Sequence, residues 1–299
     1  MKKRQKQRLI KAILTVVCLC ILALMWFVFK PAQEENIYEV PDGEAQFHFI
    51  DVGQGDATLI KAGNKNILID TGDRDAKDSL LAYLNSHGVD KIDYFVVTHF
   101  DSDHFANATT VLETYDVKNV IIPDQVKTTK TYETFITKLE QQKLENKVNV
   151  YQANSMIGDT IDVNGLEMKV LAPLKNDYDD SNDYSVCLMV RYGNKKVLLT
   201  GDAEKEAEQD IVSRYGTDVL GCDVFKLGHH GSRTSSSQGL LNKATPSAVI
   251  VSCGIGNEYG HPHAETMERV SNLDCYRTDI QGTIVLTIAN DSLQFKTEK

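Results

Sequence analysis

The sequence predicts an α/β or α+β domain with large, mostly buried sheets, preceded by one N-terminal transmembrane helix. Three observations predict it. Short apolar runs rich in Val, Ile, Leu and Phe alternate with helix-like stretches from residue 46 to residue 296. No linker and no repeat of solenoid length interrupts that alternation. An uncharged run of 18 residues, Ala12 to Phe29, stands apart before it.

That run is near the lower limit for a spanning helix and longer than a usual signal-peptide core. Trp26 and Lys30 sit where interfacial anchors belong. No small-x-small cleavage pattern follows around Met25–Ala32, and no lipid box precedes Cys18 or Cys20. Residues 1–30 hold seven basic residues and no acid, whereas Glu34, Glu35 and Glu39 follow the span. Residues 1–30 therefore read as a cytoplasmic basic tail and signal anchor, 31–43 as a polar tether, and 44–299 as one extracellular domain.

The formal charge of −10 hides a split. Beyond residue 30, 25 basic residues face 42 acidic ones, a net −17. Such a domain argues against a basic surface that grips nucleic acid or anionic lipid by counterion release. With 42% apolar and 25% charged residues, disordered classes are excluded. The six cysteines form no C-x-x-C, so a zinc knuckle or redox pair is not indicated.

Within the domain, strands are expected at 46–50, 57–61, 66–70, 94–98, 119–122, 149–151, 166–171, 185–191, 196–200, 224–227, 248–251, 283–287 and 292–296. Helical spacing is expected at 76–87, 106–113, 131–145, 203–215, 238–243 and 264–272.

Six of the eight histidines fall in three short segments, each after a strand-like run. Residues at strand carboxyl ends share one mouth in layered α/β folds. The densest segment is Thr98-His99-Phe100-Asp101-Ser102-Asp103-His104. Its donors fall at i, i+2, i+4 and i+5, spacing that suits two metal ions sharing a ligand. Asp202 follows Thr200-Gly201 at a strand end and reads either as a bridging ligand or as a helix N-cap. In Gly228-His229-His230-Gly231, neighbours on an extended chain point oppositely, so one histidine of the pair is expected to ligate. His261, in Tyr259-Gly260-His261-Pro262-His263, is a candidate phosphate contact or general acid. Asp70 is expected to hold the His99 loop from behind. The Gly-rich turn Asp51–Asp56 lacks the Lys-Ser/Thr of a nucleotide P-loop and reads as structural.

Taken together, the segments FIDVGQGDATLI, ILIDTG, VVTHFDSDHFANA, NDYSVCLMVRYG, VLLTGDAE, FKLGHHGSRTSSS and YGHPH resemble a metallo-β-lactamase-fold hydrolase. The resemblance is nearest to the hydrolase domain that ends ComEC-type competence proteins, and to its stand-alone relatives. It implies a four-layer αββα sandwich with a metal centre at one edge of the sheets. It also implies two divalent ions, Zn²⁺ or Mn²⁺, with His99 and Asp101 on the first, Asp103 and His104 on the second, and Asp202 bridging. The last superfamily histidine aligns with His230, with His229 as the fallback. The third-motif histidine is replaced by Asn182-Asp183, leaving the first ion short of a nitrogen donor. Three carboxylates among six ligands make Mn²⁺ a rival to Zn²⁺.

The implied chemistry is attack of metal-activated water on a phosphodiester. Asp103 is its key ligand; Asn182, His261, Ser232 and Ser235 are candidate substrate contacts. The resemblance favours a membrane-anchored nuclease acting on DNA. The alternatives are a hydrolase of another extracellular phosphodiester or ester, such as a phosphocholine or teichoic-acid unit, and a non-catalytic binding module.

Overall fold

Short apolar runs, many of them buried on both faces, build two sheets in the computed structural model, which describes Thr15 and residues 39–299. The basic tail, the signal anchor apart from Thr15, and the tether up to residue 38 lie outside the described residues. In chain order the strands begin with β1 (Glu44–Phe49), β2 (Thr58–Ala62), β3 (Lys65–Ile69), β4 (Lys91–Val96), β5 (Asp116–Ile122), β6 (Asn149–Gln152), β7 (Thr160–Val163) and β8 (Leu166–Ala172). They continue with β9 (Cys187–Tyr192), β10 (Lys195–Leu199), β11 (Val224–Lys226), β12 (Ala248–Val251), β13 (Asp274–Arg277), β14 (Ile284–Ala289) and β15 (Ser292–Thr297).

One sheet has eight strands in the order β15-β14-β1-β2-β3-β4-β5-β6, and the other seven in the order β13-β12-β11-β10-β9-β8-β7. Hairpin-linked strands pair antiparallel, as in β1 with β2 and β8 with β9. Around the middle of each sheet the pairing turns parallel: β3 with β4, β4 with β5, β10 with β11, and β11 with β12. Parallel neighbours need crossovers, and those crossovers carry the helices.

Burial sorts the apolar side chains into three layers. Phe47, Phe49, Ile67, Val170, Leu188, Val197 and Leu286 fill the space between the sheets. Leu80 and Leu84, from the helix Lys77–Ser86, and Phe135 and Leu139, from the helix Lys130–Leu144, pack on the outer face of the first sheet. Ala207 and Ile211, from the helix Lys205–Arg214, and Leu240 and Leu241, from the helix Gln238–Ala244, cover the second. Three apolar layers separate four structural ones, so the architecture is an αββα sandwich.

The thirteen expected strands and six expected helices all occur, with ends moved by a few residues. Apart from four short 3-10 turns, five elements were not expected: β7, β13 and the short helices Ser102–Phe105, Thr217–Leu220 and Thr278–Gln281. β7 and β13 are sheet edges of four residues each, largely exposed or half-buried, so no apolar run marks them. Among the described residues no helix is long and apolar enough to cross a membrane.

Candidate metal centre

The carboxyl ends of β3, β4, β10, β11 and β12 meet at one rim, where Asp70, residues 98–104, Asp202, residues 228–231 and Ser252 follow them; Asp56 comes from the loop before β2. Asp70 follows β3 with a left-handed backbone, φ 60°. Its Oδ1 accepts the Thr98 amide at 2.8 Å. Its Oδ2 accepts the Thr98 hydroxyl at 2.6 Å and His104 Nδ1 at 2.7 Å. The loop after β4 is thereby fixed through Thr98 and His104. Beyond it the helix Ser102–Phe105 sets Asp103 and His104 on one turn.

Asp202 follows β10 and is buried. Gly201 before it has φ 53°, and a Cβ there would lie 3.0 Å from both Ser185 Oγ and Thr98 Cβ, so the tight turn requires glycine. The Asp202 amide donates to Ser185 Oγ at 3.0 Å. Asp202 does not cap the following helix, since Asp183 Oδ1 takes that part by accepting the Glu204 and Ala207 amides at 2.8 and 3.2 Å. Its own oxygens face imidazoles: Oδ1 lies 3.1 Å from His104 Nε2, and Oδ2 lies 3.4 Å from His230 Nε2 and 3.8 Å from His229 Nε2.

The expectation that only one histidine of the pair faces inward rested on extended backbone. Instead His229 and His230 are both left-handed, at φ 48° and 54°. Consecutive left-handed residues coil the chain, so both rings turn toward Asp202. His230 Nδ1 donates to the Ser252 carbonyl at 3.0 Å, which leaves its Nε2 lone pair for the centre. That Nε2 lies 3.1 Å from Asp103 Oδ2 and 3.3 Å from His104 Nε2.

Charge follows from this crowding. Burial opposes charging His104, yet Asp202 and Asp70 together hold its proton well above the ordinary histidine range. Burial likewise opposes ionising Asp202, but His104 and His230 keep it well below the carboxylate range. Asp103 is also depressed, against its burial, by its hydrogen bond to His230. His99 shifts the other way, lowered by burial and by His104 beside it. Its Nε2 is buried without a partner.

One donor atom each from Asp56, His104, Asp202 and His230 lies within 4.8 Å of the others, a candidate metal site. Nitrogen lone pairs fixed from behind, ionised carboxylates and an unpartnered buried imidazole suit a divalent cation that replaces the His104 proton. Asp56 had read as structural. It forms a buried ion pair with Lys226, and its Oδ2 lies 4.0 Å from His230 Nδ1, the ring nitrogen turned away from Asp103. Its Oδ2 is taken by Lys226, whereas its Oδ1 is buried without a partner and is a candidate donor to the cation. Lys127 was also missed, a lone lysine in a loop with no motif around it.

The other expected site residues are placed unevenly. Asp101 stands apart from the converging four: its Oδ1 accepts Lys127 Nζ at 3.0 Å and Ser181 Oγ at 2.9 Å. Asn182 Nδ2 reaches Glu204 Oε1 at 3.4 Å. Ser232 is nearly buried, with its hydroxyl on Thr234 Oγ1 at 2.8 Å. Ser235 is fully buried. Both serines are thus as deeply set as the residues of the centre. His261 does reach the centre, its ring 5.2 Å from that of His229 and 5.9 Å from that of His230. Burial and the neighbouring histidines lower it to about 4.

Glu208 anchors the histidine loop from the helix Lys205–Arg214, accepting the Ser236 and Ser237 amides at 2.5 and 2.8 Å. Burial raises its carboxyl to about 7. A folded value above the unfolded one means the native state holds this proton more tightly, so stability falls as pH rises from about 4.5 to about 7. Glu208→Gln removes that titration. The stability of the wild type relative to this variant should drop by about 3 kcal/mol between pH 5 and pH 8, in urea melts. A pH-independent difference would refute the assignment.

Buried imidazoles and carboxylates at the rim of an αββα sandwich define a metal-dependent hydrolase fold. The chain belongs to the metallo-beta-lactamase superfamily, whose pattern it matches over residues 50–255. Among its relatives are ComEC-type competence proteins. It is 29% identical over 273 residues to ComE operon protein 3 of Bacillus subtilis, covering 83% of this chain and 34% of that protein. It is 33% identical over 245 residues to Recombination protein 2 of Haemophilus influenzae, covering 80% and 28%. Competence protein ComA of Neisseria gonorrhoeae is 30% identical, covering 82% and 32%. The chain thus spans about a third of these relatives' length. Among solved structures, the metallo-beta-lactamase fold protein YhfI of Bacillus subtilis superposes with a TM-score of 0.54 at 10% identity, covering 81% of this chain and 99% of that one. The long form RNase Z from yeast gives 0.52 at 12%, covering 91% and 44%. Those two likenesses concern the fold alone.

Proposed function

We propose that this chain is a membrane-anchored, extracellular phosphodiesterase that acts on DNA, in uptake or in degradation. The observation that carries the reading is the convergence of His104, His230 and Asp202 within 4.8 Å in a chain related to ComEC-type competence proteins. His99, Asp101, Asp103, His104, Asp202 and His230 would hold two divalent ions, Zn²⁺ or Mn²⁺. Such ions, when bound, activate water at neutral pH and offset charge building at phosphorus. The chain's own part is to fix the donors. Asp70 and the Ser252 carbonyl orient the two imidazoles, and Ser185 and Gly201 aim Asp202. His261 is neutral at pH 7, so it serves as a hydrogen-bonding contact for a phosphate oxygen rather than as a charged acid.

A second reading, hydrolysis of a different extracellular phosphodiester, draws on the charge. Lys226 is paired with Asp56, Arg191 with Glu167 and Arg233 with Glu265, so the basic residues beside the motifs are all met by carboxylates. The deciding experiment incubates the full-length chain with Mn²⁺ or Zn²⁺ and single-stranded DNA, double-stranded DNA or bis-p-nitrophenyl phosphate. Chelator-sensitive DNA cleavage is expected. Turnover of the small diester alone would replace the first reading by the second, and no turnover of any would leave a binding module.

A further inference from the structure

We propose that His229 is a further nitrogen ligand of the metal centre, bound beside Asp202, making up for the third-motif histidine this chain lacks. The inference rests on the two-ion reading above and adds a ligand to it.

Four observations point there. The left-handed turn at residues 229–230 turns both rings toward Asp202, so His229 is not directed away as an extended neighbour would be. Its Nδ1 lies 2.9 Å from Glu204 Oε1, which assigns the proton to that side and frees Nε2. This carboxylate–imidazole pair repeats the one that Asp70 makes with His104, the arrangement by which metal-ligating histidines are oriented. Its Nε2 lies 3.8 Å from Asp202 Oδ2, the same oxygen that His230 approaches at 3.4 Å. Two donors bound to one tetrahedral ion at about 2.0–2.1 Å lie about 3.4 Å apart, so a small turn of the ring brings His229 and Asp202 onto one cation.

The segment that lost the histidine supports the same conclusion. Asp183 is committed to the helix start, accepting the Glu204 and Ala207 amides. The Asn182 amide lies 3.4 Å from Glu204 Oε1 and 3.5 Å from His229 Nδ1, and Thr234 Oγ1 donates to the same Glu204 oxygen at 2.8 Å. Residues standing where a ligand is missing therefore brace the Glu204–His229 pair. His99, the other nitrogen donor of the two-ion reading on this side, keeps its Nε2 buried and without a hydrogen-bond partner.

The test is metal stoichiometry. The full-length wild type, His229→Asn and Glu204→Gln are equilibrated with Co²⁺ or Mn²⁺. Bound ions are counted by atomic emission, and their environment is followed by Co²⁺ absorption. Asparagine tolerates the left-handed backbone, so the turn survives the substitution. The expected result is two ions on the wild type and one on His229→Asn. Glu204→Gln should hold both, the weaker one loosened roughly 10–100-fold, as for other outer-sphere partners. Should His229→Asn melt before it can be titrated, Glu204→Gln carries the test alone. Two ions on His229→Asn with wild-type affinity, or an unaltered Glu204→Gln, would overturn the proposal while leaving the two-ion reading intact. A wild type that takes a single ion would overturn both.

Discussion

Asp103→Ala and His104→Ala are expected to lose turnover while the fold survives. Asp103 is the cleaner of the two. Its side chain is partly exposed and bonds to His230 Nε2, whereas its backbone carbonyl, which accepts the Asp56 amide at 3.0 Å, is untouched by the substitution. Removing it therefore strips a carboxylate from the centre without opening the loop. His104 carries more: its Nδ1 donates to Asp70 and its Nε2 faces Asp202. Alanine there leaves Asp70 with its Thr98 bonds and Asp202 with His230, so the rim holds together with one imidazole fewer. For either variant kcat/KM on bis-p-nitrophenyl phosphate should fall at least ~10²–10³-fold, the loss that one preorganised donor produces. Unaltered circular dichroism would confirm the fold. Phosphodiesterase activity retained in purified Asp103→Ala would sink the assignment of the centre.

How much of this was legible in the sequence depended on how local each feature is. Thirteen strands and six helices announce themselves because burial on a sheet or helix face writes a period into the chain. The edges β7 and β13 pair on one side only, so nothing forces an apolar run there. His104, Asp202 and His230 could be singled out because a dense run of donors after a strand has few other uses. Metal identity, substrate and the topology of residues 1–30 are not local properties of these motifs.

What stayed hidden was contact across the chain. Asp56 and Lys226 are 170 positions apart, and neither segment hints that one neutralises the other. The direction of the histidine pair depended on backbone that a spacing rule cannot read: an extended chain would part the two rings, and a left-handed turn gathers them. The burial of Ser232 and Ser235 was equally hidden, since Arg233 and Thr234 between them are exposed. The loop is tied down from other elements, by Glu208 at the Ser236 and Ser237 amides and by Arg269 at the Ser235 and Ser236 carbonyls.

The Asp56–Lys226 pair yields the largest stability effect. Both side chains are nearly fully buried, 3% and 4% exposed, and Asp56 Oδ1 has no partner at all. Lys226→Met keeps the length and packing of the chain at β11 but leaves the Asp56 carboxylate uncompensated between the sheets. Breaking one side of a buried pair in this way costs roughly 3–5 kcal/mol. Asp56→Ala strands the lysine and should cost a similar amount. The double variant Asp56→Ala/Lys226→Met removes both charges and should recover much of the loss, giving a strongly non-additive cycle in urea unfolding. Single-variant losses below about 1 kcal/mol would mean that the charges are solvated or neutral, contrary to their burial. The same pair bears on substrate. A lysine held by Asp56 cannot neutralise a phosphate, so DNA affinity of a folded Lys226→Met protein should keep the wild-type salt dependence. A shallower salt slope would put Lys226 on the substrate track instead.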